Sequence, residues 1–222
     1  MYKYNLFKDY SNKKTTRKTK NFRTIENKII STYRDKEFFD GDRINGYGGY
    51  IYDGRWKKYA KKIIDKYHLN NNSKILQINC EKGFILNDIL EINPKINVYG
   101  TENSHYAIDN SLKKIKKNIQ FCDPFNLPYR KNYFDFVLAV GVVYTLNLTD
   151  IIKCLNEIQR VSKDSSFINL ASYDNEKDYK LFKDWSLLGA TYLKESEWLK
   201  VLKHVNYKGH YYFTNAGSLG LK

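Results

Sequence analysis

Residues 73–102, SKILQINCEKGFILNDILEINPKINVYGTE, read as a strand, a turn, a helix and a second strand. Lys74 to Ile78 is a short apolar run carrying Ile75, Leu76 and Ile78. A turn ending in Gly83 follows, and then Phe84, Ile85, Ile89 and Leu90 recur at helical spacing. Asn97 to Gly100 makes the second strand, with Glu102 just beyond its end. In a parallel α/β sheet this arrangement holds a nucleotide-like ligand at the carboxyl ends of the strands, where a carboxylate can accept two hydrogen bonds from a ribose diol. Glu102 is therefore the first candidate binding residue, its alternative being a solvated loop glutamate.

The same alternation continues downstream. Ser104 is placed to cap a helix running to Lys116, and Ile119 to Cys122 makes a third strand closed by Asp123. Phe134 to Val143, FDFVLAVGVV, has the near-continuous apolar character of a central parallel strand buried on both faces. Thr149 to Val161 reads as an amphipathic helix, Ser166 to Ser172 as a strand, Lys194 to Val205 as a last helix and Tyr207 to Thr214 as a final strand. The pattern predicts an α/β fold with a Rossmann-like, doubly wound, mostly parallel sheet and right-handed crossovers.

A chain of 222 residues is long enough for one such domain and an appended segment. The net charge of +14 is uneven: residues 1–39 hold eleven Lys/Arg against four Asp/Glu, a surplus of seven. We read residues 1–39 as a basic, partly flexible extension, with a helix between 22 and 39, and residues 40–222 as the main domain. Such an arm could touch nucleic acid, an acidic partner or an anionic surface, although no recognisable nucleic-acid module accompanies it. The abundance of Lys, Asn, Ile and Tyr equally fits a compositional bias in which the charge is solvating. No apolar run reaches membrane-spanning length and the amino terminus lacks the apolar core of a secretory signal, which points to a cytoplasmic protein. Cys80, Cys122 and Cys154 are widely spaced and the four histidines form no ligand pair, so neither a metal site nor a disulfide framework is expected.

Asp40 to Trp56, DGDRINGYGGYIYDGRW, contains five of the twelve glycines. The glycines permit tight turns, and Tyr47, Tyr50, Tyr52 and Trp56 supply flat faces able to cover a ligand, so the segment reads as a lid. Trp56 to Tyr67 follows as a helix.

With these segments in order, residues 41–213 resemble class I S-adenosylmethionine-dependent methyltransferases. KILQINCEKGFIL stands where that family has its glycine-rich first motif, and YGTENSHYAI where it has its second-strand acid. FCDPFNLPYRKNYFDFVLAVGVVYTL stands where it has its adenine-binding and central-strand motifs. The Gly-Tyr-Gly-Gly-Tyr and Tyr-Asp-Gly-Arg-Trp pieces at 46–56 are similar to those of a bacterial subgroup acting on small molecules. The resemblance implies S-adenosylmethionine as cofactor, with Glu102 on the ribose hydroxyls, Asp123 on the adenine amine, and Phe125 and Leu127 as walls of the adenine pocket. Asp123 can equally be a turn residue before Pro124.

The first motif departs from the family pattern of acidic-x-Gly-x-Gly-x-Gly, because those positions read Gln77, Asn79, Glu81 and Gly83. Asn79 tolerates a left-handed turn. Glu81 places a charge where the family's backbone approaches the cofactor's methionine portion, and Gln77 removes an anionic partner for the cofactor's ammonium. Tyr52 and Arg55 are the lid's candidate cofactor contacts, Arg55 pairing with a carboxylate or anchoring its own loop. Tyr144, after the central strand, is the candidate catalytic residue if its phenol is perturbed, and otherwise a packing aromatic. Residues 173–193, with Trp185 as the large apolar surface, are expected to meet the acceptor. These readings favour methyl transfer to a small molecule such as a sugar or metabolite precursor. The rivals are an inactive binding or scaffold protein that keeps the fold, and nucleic-acid binding or methylation through the basic arm.

Overall fold

The computed structural model describes residues 1–8 and 23–221. Its centre is a seven-stranded sheet in which every pairing is parallel. The strands are β1 (Tyr2–Lys3), β2 (Lys74–Ile78), β3 (Asn97–Glu102), β4 (Ile119–Phe121), β5 (Phe134–Ala139), β6 (Ser162–Ala171) and β7 (His210–Thr214), in the spatial order β1-β7-β6-β5-β2-β3-β4. From β2 the chain winds outward through β3 and β4, then returns to the other side of β2 and winds outward through β5, β6 and β7. The reversal lies between β2 and β5, where Ile78 faces Thr101 on one side and Ala139 on the other. Crevices form at the carboxyl ends of strands at such a switch point.

The helices are α1 (Ile25–Thr32), α2 (Lys36–Phe39), α3 (Lys57–Lys66), α4 (Phe84–Ile92), α5 (His105–Asp109), α6 (Lys113–Lys116), α7 (Leu148–Val161), α8 (Glu176–Trp185), α9 (Glu195–His204) and α10 (Ala216–Leu219). Apolar residues of α3 and α4, including Ile63, Leu86 and Ile89, cover one face of the sheet with Ile75, Phe136 and Phe167. On the other face, Ile151, Leu155 and Ile158 of α7 and Trp198 and Leu202 of α9 pack on Leu76, Val137 and Ile168. Trp198 is fully buried, and its indole N–H donates to the carbonyl of Ala171 at 2.7 Å, so its polar atom is satisfied inside the core.

Three departures from the sequence reading have local causes. The central strand stops at Ala139 rather than Val143, because Gly141 turns the chain at φ 73° into a short 3-10 turn at Val143–Thr145. The helix expected from Ser104 to Lys116 is broken into α5 and α6, with Leu112 extended between them. The described parts of residues 1–39 are built into the fold instead of standing apart from it. β1 adds an edge strand beside β7, Leu6 is fully buried, and Phe38 and Phe39 lie in a core cluster with Ala107. Residues 9–22, on which much of the flexibility expected for residues 1–20 falls, lie outside the described residues. Among the described residues no helix is long and apolar enough to cross a membrane, and no cluster of His, Cys, Asp and Glu could hold a metal.

Gly83 begins α4 at φ 74°, and a Cβ there would lie 1.9 Å from Cδ1 of Ile115 on α6. Its small size thus serves helix packing as well as the turn. Gly83→Ala is expected to lower stability by about 2–4 kcal/mol, combining left-handed backbone strain with overpacking, as read from the midpoint of urea unfolding.

Candidate active site

The loop after β2 has left-handed backbone at alternate residues, with φ 47° at Asn79, 55° at Glu81 and 74° at Gly83. The turn that the family makes with glycines therefore forms here from Asn, Glu and Gly. Holding Glu81 in this region costs about 1–2 kcal/mol, and neighbouring bonds offset it. The Glu81 N–H donates to Oε2 of Glu102 at 2.7 Å, the Cys80 N–H donates to the carbonyl of Thr101 at 2.9 Å, and the Glu81 carboxylate accepts the Tyr47 hydroxyl. Burial raises the Glu81 carboxyl above its ordinary pKa, against the lowering pull of Tyr47, Tyr50 and Arg34.

Glu102, at the end of β3, is fully enclosed, with a relative exposure of 0%. Its Oε1 accepts from Nη2 of Arg34 at 2.8 Å and from the Asn103 N–H at 2.9 Å. Arg34 lies between α1 and α2 in left-handed conformation at φ 49°. Its carbonyl accepts the Ser104 hydroxyl, and its guanidinium carbon sits 5.5 and 5.7 Å from the ring centres of Phe38 and Phe39. The arm thus reaches across 68 positions of sequence to the acid that closes β3. No pattern in the sequence marks Arg34 for this.

A roof lies beside the pair. Asp40 accepts Nζ of Lys82 at 2.6 and 2.7 Å, the Tyr106 hydroxyl at 2.7 Å and the Tyr50 N–H at 3.0 Å, while Lys82 also donates to the Tyr50 carbonyl at 3.0 Å. Tyr50 stacks on Phe84 with ring centres 4.7 Å apart, which fastens the Gly/Tyr-rich segment to the start of α4. Tyr52 is fastened farther along that helix. Its hydroxyl donates to Asp88, and that bond, with burial, raises the phenol to about 12. Arg55 pairs with Asp53 on its own exposed loop at 2.6 Å, the anchoring alternative of its sequence reading.

Gln77 and Asn79 reach the same strand end as Glu102, and the side-chain oxygens of both are buried with no hydrogen-bond partner. Asn103 Oδ1 and Arg34 Nε are in the same condition. Asp123 is exposed beyond β4, and Phe125 is half-buried with Nζ of Lys153 5.8 Å from its ring centre. Leu127 is a core residue rather than an open wall. It is 4% exposed, its N–H donates to Glu157 at 2.7 Å, and its carbonyl accepts from Arg160 at 2.9 Å.

Tyr144 lies in the 3-10 turn after β5, where its carbonyl accepts the N–H groups of Ala190 and Thr191, each at 3.0 Å. Burial, with Tyr192 and Glu81 nearby, pushes its phenol far above the ordinary value. A general base needs a pKa near the working pH, so the upward shift leaves the Tyr144 hydroxyl protonated and able to donate rather than to act as a base. Trp185 is half-buried, with Arg23 over its ring at 5.8 Å and Phe182 meeting it edge-on.

A parallel sheet that reverses beside β2, with an alternating left-handed loop after that strand and an acid closing the next, is the class I S-adenosylmethionine-dependent methyltransferase fold. Residues 76–169 match the family described as Methyltransferase domain. A tRNA (carboxymethyluridine(34)-5-O)-methyltransferase of Arabidopsis thaliana is 28% identical over 143 residues, 64% of this chain and 34% of that protein. A tRNA (guanine-N(7)-)-methyltransferase of Mycoplasma capricolum is 35% identical over 86 residues, 37% of this chain and 39% of that protein. The chain therefore spans roughly a third of the length of these curated relatives. Among solved structures, the YcgJ protein of Bacillus subtilis superposes with a TM-score of 0.53 at 16% identity over 66% of each chain, a likeness of fold.

Burial pushes the Asp40 carboxyl upward, but the bonds from Lys82, Tyr106 and the Tyr50 N–H outweigh it and hold the group below its ordinary pKa. Its stabilisation is therefore complete above the unfolded value of about 3.9 and is lost as pH falls through the lower folded value. Asp40→Asn should be less stable than wild type at pH 7 by about 1–3 kcal/mol. The gap should narrow steadily below about pH 4, which urea unfolding at pH 7 and pH 3 would measure.

Proposed function

We propose that the chain is an S-adenosylmethionine-dependent methyltransferase whose acceptor is a small molecule. The observation that carries this reading is the set of buried, unpartnered acceptors on Gln77, Asn79 and Asn103 around the acid that closes β3. An unpaired buried acceptor costs about 1–3 kcal/mol, so a ligand rich in N–H and O–H groups is favoured there. The cofactor's ammonium and ribose diol are such groups. Gln77 and Asn79 would take the ammonium through their amide oxygens, and Glu102 the diol. Asp123 would accept from the adenine amine, with Phe125 against the base.

When bound, S-adenosylmethionine supplies an electrophilic sulfonium methyl group for in-line transfer. The chain's own share is alignment and exclusion of water. The roof of Phe39, Tyr47, Tyr50 and Tyr106 covers the strand ends on one side. Tyr144, kept protonated and near enough to Tyr47 and Glu81 to interact with both, can donate to an acceptor oxygen. Strand ends covered by aromatic rings suit a compact acceptor, which is why the small-molecule reading is preferred.

A second reading has its own support. The two curated relatives described above are tRNA methyltransferases, and this chain carries a net charge of +14. A tRNA base turned out of its stack would also be compact enough for such a site.

Calorimetric titration tests the cofactor reading. S-adenosylhomocysteine is expected to bind with micromolar affinity, about 8 kcal/mol. Glu102→Gln is expected to weaken it about a hundredfold, because a neutral amide accepts the diol less strongly. Absence of binding by the wild type would point to the inactive-scaffold reading. Transfer of labelled methyl to bulk tRNA, against none to sugar-nucleotide pools, would replace the small-molecule acceptor with the second reading.

A further inference from the structure

Arg34 occupies the acid that the cofactor's ribose would use. The guanidinium holds Oε1 of Glu102 at 2.8 Å, the pair is almost wholly buried, and the side chains are 14% and 0% exposed. Three features show a built contact. The Arg34 backbone is held in a left-handed turn by the Ser104 hydroxyl on its carbonyl, and Ser104 belongs to the loop that follows Glu102. The rings of Phe38 and Phe39 flank the guanidinium. Two buried polar atoms beside the pair, Nε of Arg34 and Oδ1 of Asn103, have no partner, so the closed arrangement leaves hydrogen-bonding capacity unused.

We propose that Arg34 is an internal competitor for the ribose-binding acid, and that it sets cofactor affinity by holding Glu102 until a diol replaces it. The proposal rests on the cofactor reading above. Glu102 offers four lone-pair sites, of which Arg34, the Asn103 N–H and the Glu81 N–H take three. A diol donating both hydroxyls needs two, so Arg34, the side-chain donor among these three, must yield. The displaced cation has somewhere to go. Glu81 lies close enough to interact electrostatically with Arg34, and its carboxylate can receive the charge. Arg34 thus acts opposite to an ordinary binding residue: it subtracts from affinity in the resting protein.

The test is calorimetric titration of wild type, Arg34→Lys and Arg34→Gln with S-adenosylhomocysteine, adenosine and 2′,3′-dideoxyadenosine, each variant first checked for folding by circular dichroism. If the open state is below a tenth of the resting population, releasing Glu102 raises apparent affinity about tenfold or more. The expected result is a gain for S-adenosylhomocysteine and adenosine in Arg34→Gln, a smaller gain in Arg34→Lys, and no gain for the dideoxynucleoside, which has no diol to compete. Unchanged or weaker binding in a folded variant, or an equal gain for the dideoxynucleoside, overturns the proposal. Binding of none of the three by any protein refutes the cofactor reading instead. A measurement on the wild type alone guards against variants that fail to fold. Hydrogen exchange at residues 25–39 should quicken when S-adenosylhomocysteine binds, and slower exchange there would also overturn the proposal.

Discussion

A carboxylate with no exposure to water must be compensated by the chain that buries it, and Glu102 imposes that demand on this structure. Its two oxygens take donors from three places: the loop after β2, the loop after β3, and the turn between α1 and α2. The first two are local to the parallel sheet. The third brings Phe38 and Phe39 against Ala107, and their rings lead on to Tyr47, Tyr50 and Tyr106. The roof is in this sense a consequence of how one acid is neutralised. The second pair, Lys82 with Asp40, repeats the logic a few residues away, with a buried cation fixing the segment that follows α2.

The sheet was legible because apolar periodicity is a local signal. The runs at 74–78 and 134–139 are nearly uninterrupted and could only sit between helical layers. The glycine-poor first motif was legible as a departure but not in its outcome. Sequence identity at Asn79 and Glu81 says what the backbone prefers, whereas the observed φ values depend on bonds from residues 20 to 40 positions distant, such as Glu102 and Tyr47. β1 is two residues long and carries no periodicity to read. Helix α8 did carry a signal, an Asn175 cap accepting from the Asp178 N–H, placed within a stretch read for acceptor contacts rather than for helix.

The candidate residues divide along the same line. Glu102 was placed by a strand end, and Gln77 and Asn79 by the motif at the end of the first strand of the pair, and strand ends are set by local pattern, so the three reach the same end of the sheet. Leu127, implied by the resemblance, and Arg55 and Trp185, placed by residue type, each find another use: a core position clasped by Glu157 and Arg160, a loop pair with Asp53, and a surface under Arg23. A leucine, an arginine or a tryptophan has many stable environments, whereas an acid at the end of a parallel strand has few.

The charge pattern left by the altered first motif is internally consistent. Against the family pattern, the acid expected at the end of β2 is the neutral Gln77, and an acid appears at Glu81, in the same loop. Without Arg34, Glu102 would stand joined to Glu81 by a backbone N–H and add to the cost of ionising Glu81. One guanidinium interacting with both offsets part of that cost in the resting protein. A cofactor whose methionine end carries an ammonium brings a cation of its own to the same neighbourhood, so the acids would keep a counter-charge whether Arg34 stays or turns aside. The exchange of one cation for another, rather than the filling of a neutral cleft, is the physical step on which ligand entry at this site would turn.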